Sequence, residues 1–119
     1  MDYKDLNVRK ESMDLVENIY KIAKLFPKEE SYALAGQIKR AVVSVPSNIA
    51  EGQNRNTKKE FIQFLYISLG SISEVETQLL IAKRLNYVNN IEMELKQITK
   101  IRKMINALIN SIKRETNDK

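Results

Sequence analysis

Apolar residues recur along this chain at alternating steps of three and four, the period of a helix with one buried face. Leu15, Ile19, Ile22 and Phe26 make the first stripe, widened by Val16, Tyr20 and Ala23. Arg9, Lys10, Asp14, Glu17, Lys21 and Lys24 fill the opposite face. The pattern predicts a helix over 8–26, stopped by Pro27, because the residue before a proline avoids the α region. Leu34, Ile38, Ala41, Val45 and Ile49 predict a second helix over 29–51, with Glu29 and Glu30 in its first turn, where carboxylates suit the helix dipole. Phe61, Leu65, Ser68, Ile72, Val75, Leu79 and Ala82 form the seam of a third helix over 57–86. Thr57 and Glu60 fit a capping box at its start. Phe64, Ile67 and Leu69 spread apolar surface nearly round its first half, as in a helix enclosed on several sides. Ile91, Leu95, Ile98, Ile101, Ile105, Leu108 and Ile112 predict a fourth helix over 90–113, capped by Asn89 with Glu92 three residues on. Residues 115–119 are expected to fray. Short loops turn each helix back along the last, so the fold class is all-α: an antiparallel up-down-up-down four-helix bundle, one domain over 1–119.

One stretch breaks the helical rules. Residues 40–52 read Arg-Ala-Val-Val-Ser-Val-Pro-Ser-Asn-Ile-Ala-Glu-Gly, and the apolar face continues across Pro46. Proline lacks the N–H that would bond to the Val42 carbonyl, and its ring crowds that carbonyl. The second helix is therefore expected to kink there, at roughly 3 kcal/mol before compensation. Ser44 and Ser47 flank the break with hydroxyls suited to freed backbone groups. Gly52 reads as the residue past the helix end, where φ can be positive. In the third helix Gly70, Ser71 and Ser73 are small enough to let a neighbouring helix approach closely.

Composition narrows the chemistry. The chain of 119 residues has no Cys and no His, which removes disulfides, thiolate nucleophiles and ordinary zinc, copper or haem sites. Catalytic residues, metals and cofactors are accordingly expected to be none. No apolar run approaches the ~18 residues of a membrane span. The polar, acidic start does not read as a signal peptide, so a cytoplasmic protein is expected. Net charge is +5, unevenly placed: residues 1–27 are neutral overall and 89–119 carry +3.

The candidate chemistry is therefore binding. Lys96, Lys100, Arg102 and Lys103 on the fourth helix, with Lys58 and Lys59 at the start of the third, are candidates for holding phosphates, which clustered cations do with little base specificity. An ordinary solvated surface is the competing reading. Asn48, Glu51 and Arg55 are candidates for a specific polar site or, alternatively, a tie in which Glu51 pairs with Arg55 and Asn48 bonds to loop backbone. Glu74 and Glu76, two apart, point away from each other and make no acid–base pair.

These residues carry a resemblance. Ser44, Pro46, the run Asn48-Ile49-Ala50-Glu51-Gly52, Arg55, Gly70-Ser71 and Glu74 fit the pattern of small bacterial four-helix-bundle proteins known from intervening sequences in large-subunit ribosomal RNA genes. Tyr20, Phe26-Pro27, Glu30, Leu34, Gln37, Arg40-Ala41 and Lys59-Glu60-Phe61 extend the likeness over nearly the whole chain. Ser68 departs from it, where the pattern has Ala, and little effect is expected. The resemblance implies a ring-shaped homo-oligomer, a pentamer, without enzymatic activity. Related members are accessory proteins of retroelements, so RNA or DNA and a reverse transcriptase are the partners it suggests, against the alternative of a purely protein-binding scaffold.

Overall fold

The computed structural model describes residues 3–117. Its helices are α1 (Tyr3–Ala23), α2 (Leu34–Gln53), α3 (Lys58–Arg84) and α4 (Glu92–Asn117), with a 3-10 turn, Lys28–Glu30, ahead of α2 and no strand among the described residues. Side-chain pairs show how they lie. Ser44 and Val45 of α2 meet Ser71 and Ser68 of α3, while Gly52 meets Phe61 and Phe64. Asn18 bonds to Gln97, and Glu11 to Lys100. Lys58 reaches Glu115, and Glu76 reaches Arg102. In each pair of helices residue numbers rise on one as they fall on the other, so successive helices run in opposite directions. Both α1 and α3 pack on α2 and α4, which puts α1 and α3 on opposite corners of a rod 53 × 24 × 18 Å. Among the described residues no helix is long and apolar enough to cross a membrane.

The seams are the apolar stripes. Leu15 and Ile19, Ile38 and Ile49, Leu65, Ile72 and Leu79, and Ile98, Ile101 and Ile105 have no exposed surface. Full burial of each such side chain contributes roughly 1.5–3 kcal/mol, which is why the period survives as packing. α2 stays helical through Pro46, which is itself buried. Ser68 stands in the α3 seam and donates a 2.9 Å hydrogen bond to the Val45 carbonyl, one residue before the proline. The departure from Ala at this position thus has a bond attached to it.

The helix ends differ from the expectation in instructive ways. α1 begins at Tyr3 rather than residue 8, because its polar first turn, with Asp5 there to suit the dipole, has no apolar period to mark it. α1 ends at Ala23, three residues early, and turns through Ile22–Leu25 and Ala23–Phe26 hydrogen bonds. α2 begins at Leu34 rather than 29, and Glu30 lies outside it in the 3-10 turn. From there the Glu30 carboxylate accepts from the Leu34 N–H at 3.4 Å, serving the helix start without belonging to it. α3 starts as expected: Thr57 Oγ1 accepts from the Glu60 N–H at 3.1 Å and donates to its carboxylate at 3.0 Å. At its end Asn86 takes φ 62°, with Tyr87 N–H bonded to the Ala82 carbonyl and Asn86 N–H to that of Lys83, a Schellman stop built on Asn instead of Gly. α4 is capped by Asn90, not Asn89: the Asn90 side chain accepts from the Glu92 N–H at 3.0 Å. It continues helical to Asn117, with Glu115 held by Lys58; residues 118–119, the end of the segment expected to fray, lie outside the described residues.

Gly52 corrects a further expectation. No glycine among the described residues has positive φ, and Gly52 lies inside α2. It is small because of crowding: a Cβ there would stand 2.7 Å from Phe61 Cδ1 and 2.9 Å from Phe64 Cβ. Gly70 is the opposite case, since a Cβ there would meet nothing within 4 Å. The neighbour that approaches α3 closely does so over Ser68 and Ser71, which are buried, while Gly70 and Ser73 face outward.

Candidate functional site

The polar residues of the 40–52 stretch separate into two groups. Ser44, one turn before Asn48, puts its hydroxyl 2.8 Å from that of Ser71 across the α2–α3 seam. The Asn48 amide donates to both the Ser44 carbonyl (2.8 Å) and its Oγ (2.9 Å), and Ser71 donates to the Ile67 carbonyl (3.2 Å). Asn48 therefore bonds to its own helix, not to loop backbone as the tie reading expected. The three side chains use each other's capacity and that of two backbone carbonyls, which suits a half-buried seam better than a catalytic centre. Ser47 is exposed and makes no such bond.

Glu51 and Arg55 form the second group. They are joined by an exposed ion pair, as the tie reading expected, and the Arg55 guanidinium lies 4.7 Å from the centre of the Phe64 ring. An exposed pair of this kind is worth at most about 1 kcal/mol. It sits at the α2–α3 turn over Phe64, one of the two rings that also require Gly52. The proposed Asn48–Glu51–Arg55 cluster is thus divided between two jobs.

Beside the serine seam a groove opens along α3. At one end a cavity of about 260 Å³ is lined by Gln37, Arg40, Ser44, Ser71, Glu74 and Gln78. It shares Gln37, Glu74 and Gln78 with a second cavity of about 370 Å³ that takes in Gly70, Ser73, Thr77 and Ile81. That one shares Thr77 and Ile81 with a third of about 650 Å³, reaching Leu80, Lys83, Arg84 and Asn86. Glu74 is exposed in this groove and makes no ion pair among the described residues. Glu76 turns the other way, to Arg102 of α4 at 2.9 Å, so the two carboxylates do point apart. Among the described residues no group of three acidic side chains comes together to hold a metal.

The basic candidates are not one patch. Lys96, Lys100 and Lys103 share an exposed face of α4. Lys96 and Lys103 make no ion pair among the described residues; Lys100 reaches Glu11 of α1 at 2.9 Å. Arg102 is committed to Glu76 and Lys58 to Glu115. Lys58 and Lys59 sit beside the far end of α4, and Glu115 is about 18 Å along that helix from Lys103.

One contact escaped the sequence reading. Tyr87, on the α3–α4 loop, donates to the Glu30 carboxylate at 2.8 Å and packs on Phe26, ring centres 5.8 Å apart. The carboxylate that accepts its hydrogen bond raises the phenol's pKa above the ordinary tyrosine value, with desolvation adding to the effect. Phe26, Glu30 and Tyr87 are 57 residues apart at their widest hydrogen-bonded span, and no local pattern could have joined them.

The family described as 23S rRNA-intervening sequence protein matches residues 4–107 of the chain. A solved structure from Bacteroides thetaiotaomicron VPI-5482, a protein with unknown function from the S23 ribosomal protein family, is similar with a TM-score of 0.82 and 26% identity. The alignment covers 90% of this chain and 98% of that one. No curated protein matches.

Proposed function

The chain belongs to the 23S rRNA-intervening sequence protein family, and from that premise we propose that it is a non-enzymatic homo-oligomer that holds RNA or DNA weakly through α4. The observation that supports this reading is the exposed face of Lys96, Lys100 and Lys103, two of whose ammonium groups have no carboxylate partner among the described residues. Such cations neutralise phosphates and release counterions, giving affinity without base selection. Copies in an oligomer multiply a weak patch through effective concentration. A pentamer is the assembly that the family resemblance suggests. Arg102 and Lys58, being ion-paired, contribute to the general field and not to direct contacts. Lys59 lies with Lys58 at the far end and is a separate, weaker contact.

Binding to single- and double-stranded RNA and DNA, followed by fluorescence anisotropy, should fade between roughly 50 and 200 mM salt. Lys96→Glu with Lys103→Glu should abolish it, and helicity should be unchanged because both side chains face water. Equal binding by the variant would show that the contact lies elsewhere. A parent chain that binds no nucleic acid even at low salt would leave a protein-binding scaffold as the reading.

A further inference from the structure

The serine seam and the cavity beside it differ in one respect: the first is satisfied and the second is not. Ser71 donates to the Ile67 carbonyl and Asn48 donates to Ser44, so the Ser44 proton goes to Ser71 and both hydroxyls are committed. Around the cavity of about 260 Å³ stand Gln37 and Arg40 of α2 and Glu74 and Gln78 of α3. None of these four side chains has a hydrogen bond or an ion pair among the described residues, and Arg40 and Glu74 do not pair across the cavity they share. The Gln78 Oε1 is covered from solvent and still has no donor, although buried carbonyls ordinarily find one. A cavity on which several unpartnered polar groups converge has the form of a ligand site.

The chemistry of the four groups selects the ligand. A lone anion would meet the Glu74 carboxylate, and a lone cation would meet the Arg40 guanidinium, so neither suits the cavity. The guanidinium is laid back over Gly36, where a Cβ would stand 3.2 Å from Nη1 and 3.7 Å from Nη2, so a glycine in that turn gives the fork its place on the wall. A planar fork is matched by two parallel acceptors, and a carboxylate by two parallel donors. Guanine has both in one neutral plane: O6 and N7 accept along one edge, and N1–H and the 2-amino group donate along the next. No other common base has a two-donor edge. We propose that this cavity is a site for one unpaired guanine base, with Arg40 on its O6/N7 edge and Glu74 on its N1–H/2-amino edge. The site adds base selection to the nucleic-acid reading above and rests on that reading for the strand.

The donor edge that Glu74 takes is the one guanine uses in a base pair, so the base must come from a single strand, a loop or a free nucleotide. The surroundings of the cavity suit a strand. The groove continues from Glu74 through Thr77 and Ile81 to Lys83 and Arg84, about 15 Å along α3. Neither of those cations has an ion-pair partner among the described residues, so phosphates on one side of the base have charges to meet. Gln37 and Gln78, amides with both donors and acceptors, flank the base and fill its remaining capacity, and rotation of the Gln78 carboxamide presents its unbonded carbonyl to the second proton of the 2-amino group.

The test compares short labelled uridine strands with guanosine, inosine or uridine at one central position, by fluorescence anisotropy at low salt. The guanosine strand should bind roughly tenfold more tightly than the other two, inosine failing because it lacks the 2-amino group. Annealing the guanosine strand to its complement should remove the preference. Glu74→Gln and Arg40→Lys should each reduce the guanosine strand to the level of the uridine strand, with helicity and melting temperature unchanged, because neither side chain bonds to another described residue. Calorimetric titration with guanosine monophosphate separates the sources: binding as tight as the strand's assigns a free nucleotide, and weaker binding assigns the strand. Equal affinity for all three strands would overturn the site, and would leave the α4 reading standing where that affinity still falls with Lys96→Glu and Lys103→Glu. A guanosine preference that both Glu74→Gln and Arg40→Lys leave intact would also overturn it. A parent chain that takes neither the strands nor the free nucleotide would overturn both readings.

Discussion

At Gly52 and Gly70 the same amino acid answers two different demands, and substitution separates them. Gly52→Ala forces a methyl group against Phe61 and Phe64 under the α2–α3 turn, and should destabilise by roughly 1–3 kcal/mol. Gly70→Ala adds a methyl group in open space on a helix and should stabilise the folded chain by up to about 1 kcal/mol. Thermal melts of the pair should therefore move in opposite directions. Tyr87 makes a second test at this scale. Its folded pKa is raised above the unfolded value of 10.0, chiefly by the Glu30 bond. The sign follows: the stabilisation is complete below pH 10.0 and is lost as pH rises through the folded value. Tyr87→Phe should lower stability at neutral pH and narrow its gap from the parent above that range. A constant gap between the two stability curves across the alkaline range would show that the bond to Glu30 is not the source of the raised pKa.

Among the helices, α2 and α3 form the closest partnership. Their seam carries a cluster of small polar residues among its buried aliphatic side chains. Ser68 reaches the Val45 carbonyl, Ser71 meets Ser44, and Asn48 closes the set, all within one turn of Pro46. These bonds hold the region where proline denies α2 one of its own. Pro46→Ala restores that backbone bond yet changes the path of a helix whose face is already fitted to α3. The variant should fold, with a lower melting temperature or a smaller assembly than the parent. A more stable variant with unchanged assembly would show that the proline is tolerated and not needed.

For the whole molecule, the decisive quantity is mass in solution. Tyr66, Ile67, Leu80 and Ile81 remain 41–50% exposed on α3, although its inner seam is fully covered. One bundle has four helices and no fifth to lay over them, so the apolar surface is expected to be covered by another copy. Light scattering at micromolar concentration should return a multiple of 13.8 kDa, and the bare monomer mass would sink that reading. The rod shape matters here too. A 53 Å bundle offers long flanks and small ends, so lateral contact of helices buries far more surface than contact of loops.

The four helices, their inward faces and the Thr57 cap were legible in the sequence, because a 3.6-residue period and a local hydrogen bond are properties of neighbours in the chain. The split of the polar motif was not. Whether Asn48 faces Ser71 or Arg55, and whether Gly52 is small for its φ or for Phe61, depends on which helix lies alongside. The same holds for Lys100 and Arg102, which look alike in sequence until α1 offers Glu11 to one and α3 offers Glu76 to the other. Glu30 and Tyr87 meet only because two loops arrive at the same end of the bundle. Periodicity assigns a residue to a face of its own helix, and only the packing of the helices decides what that face meets.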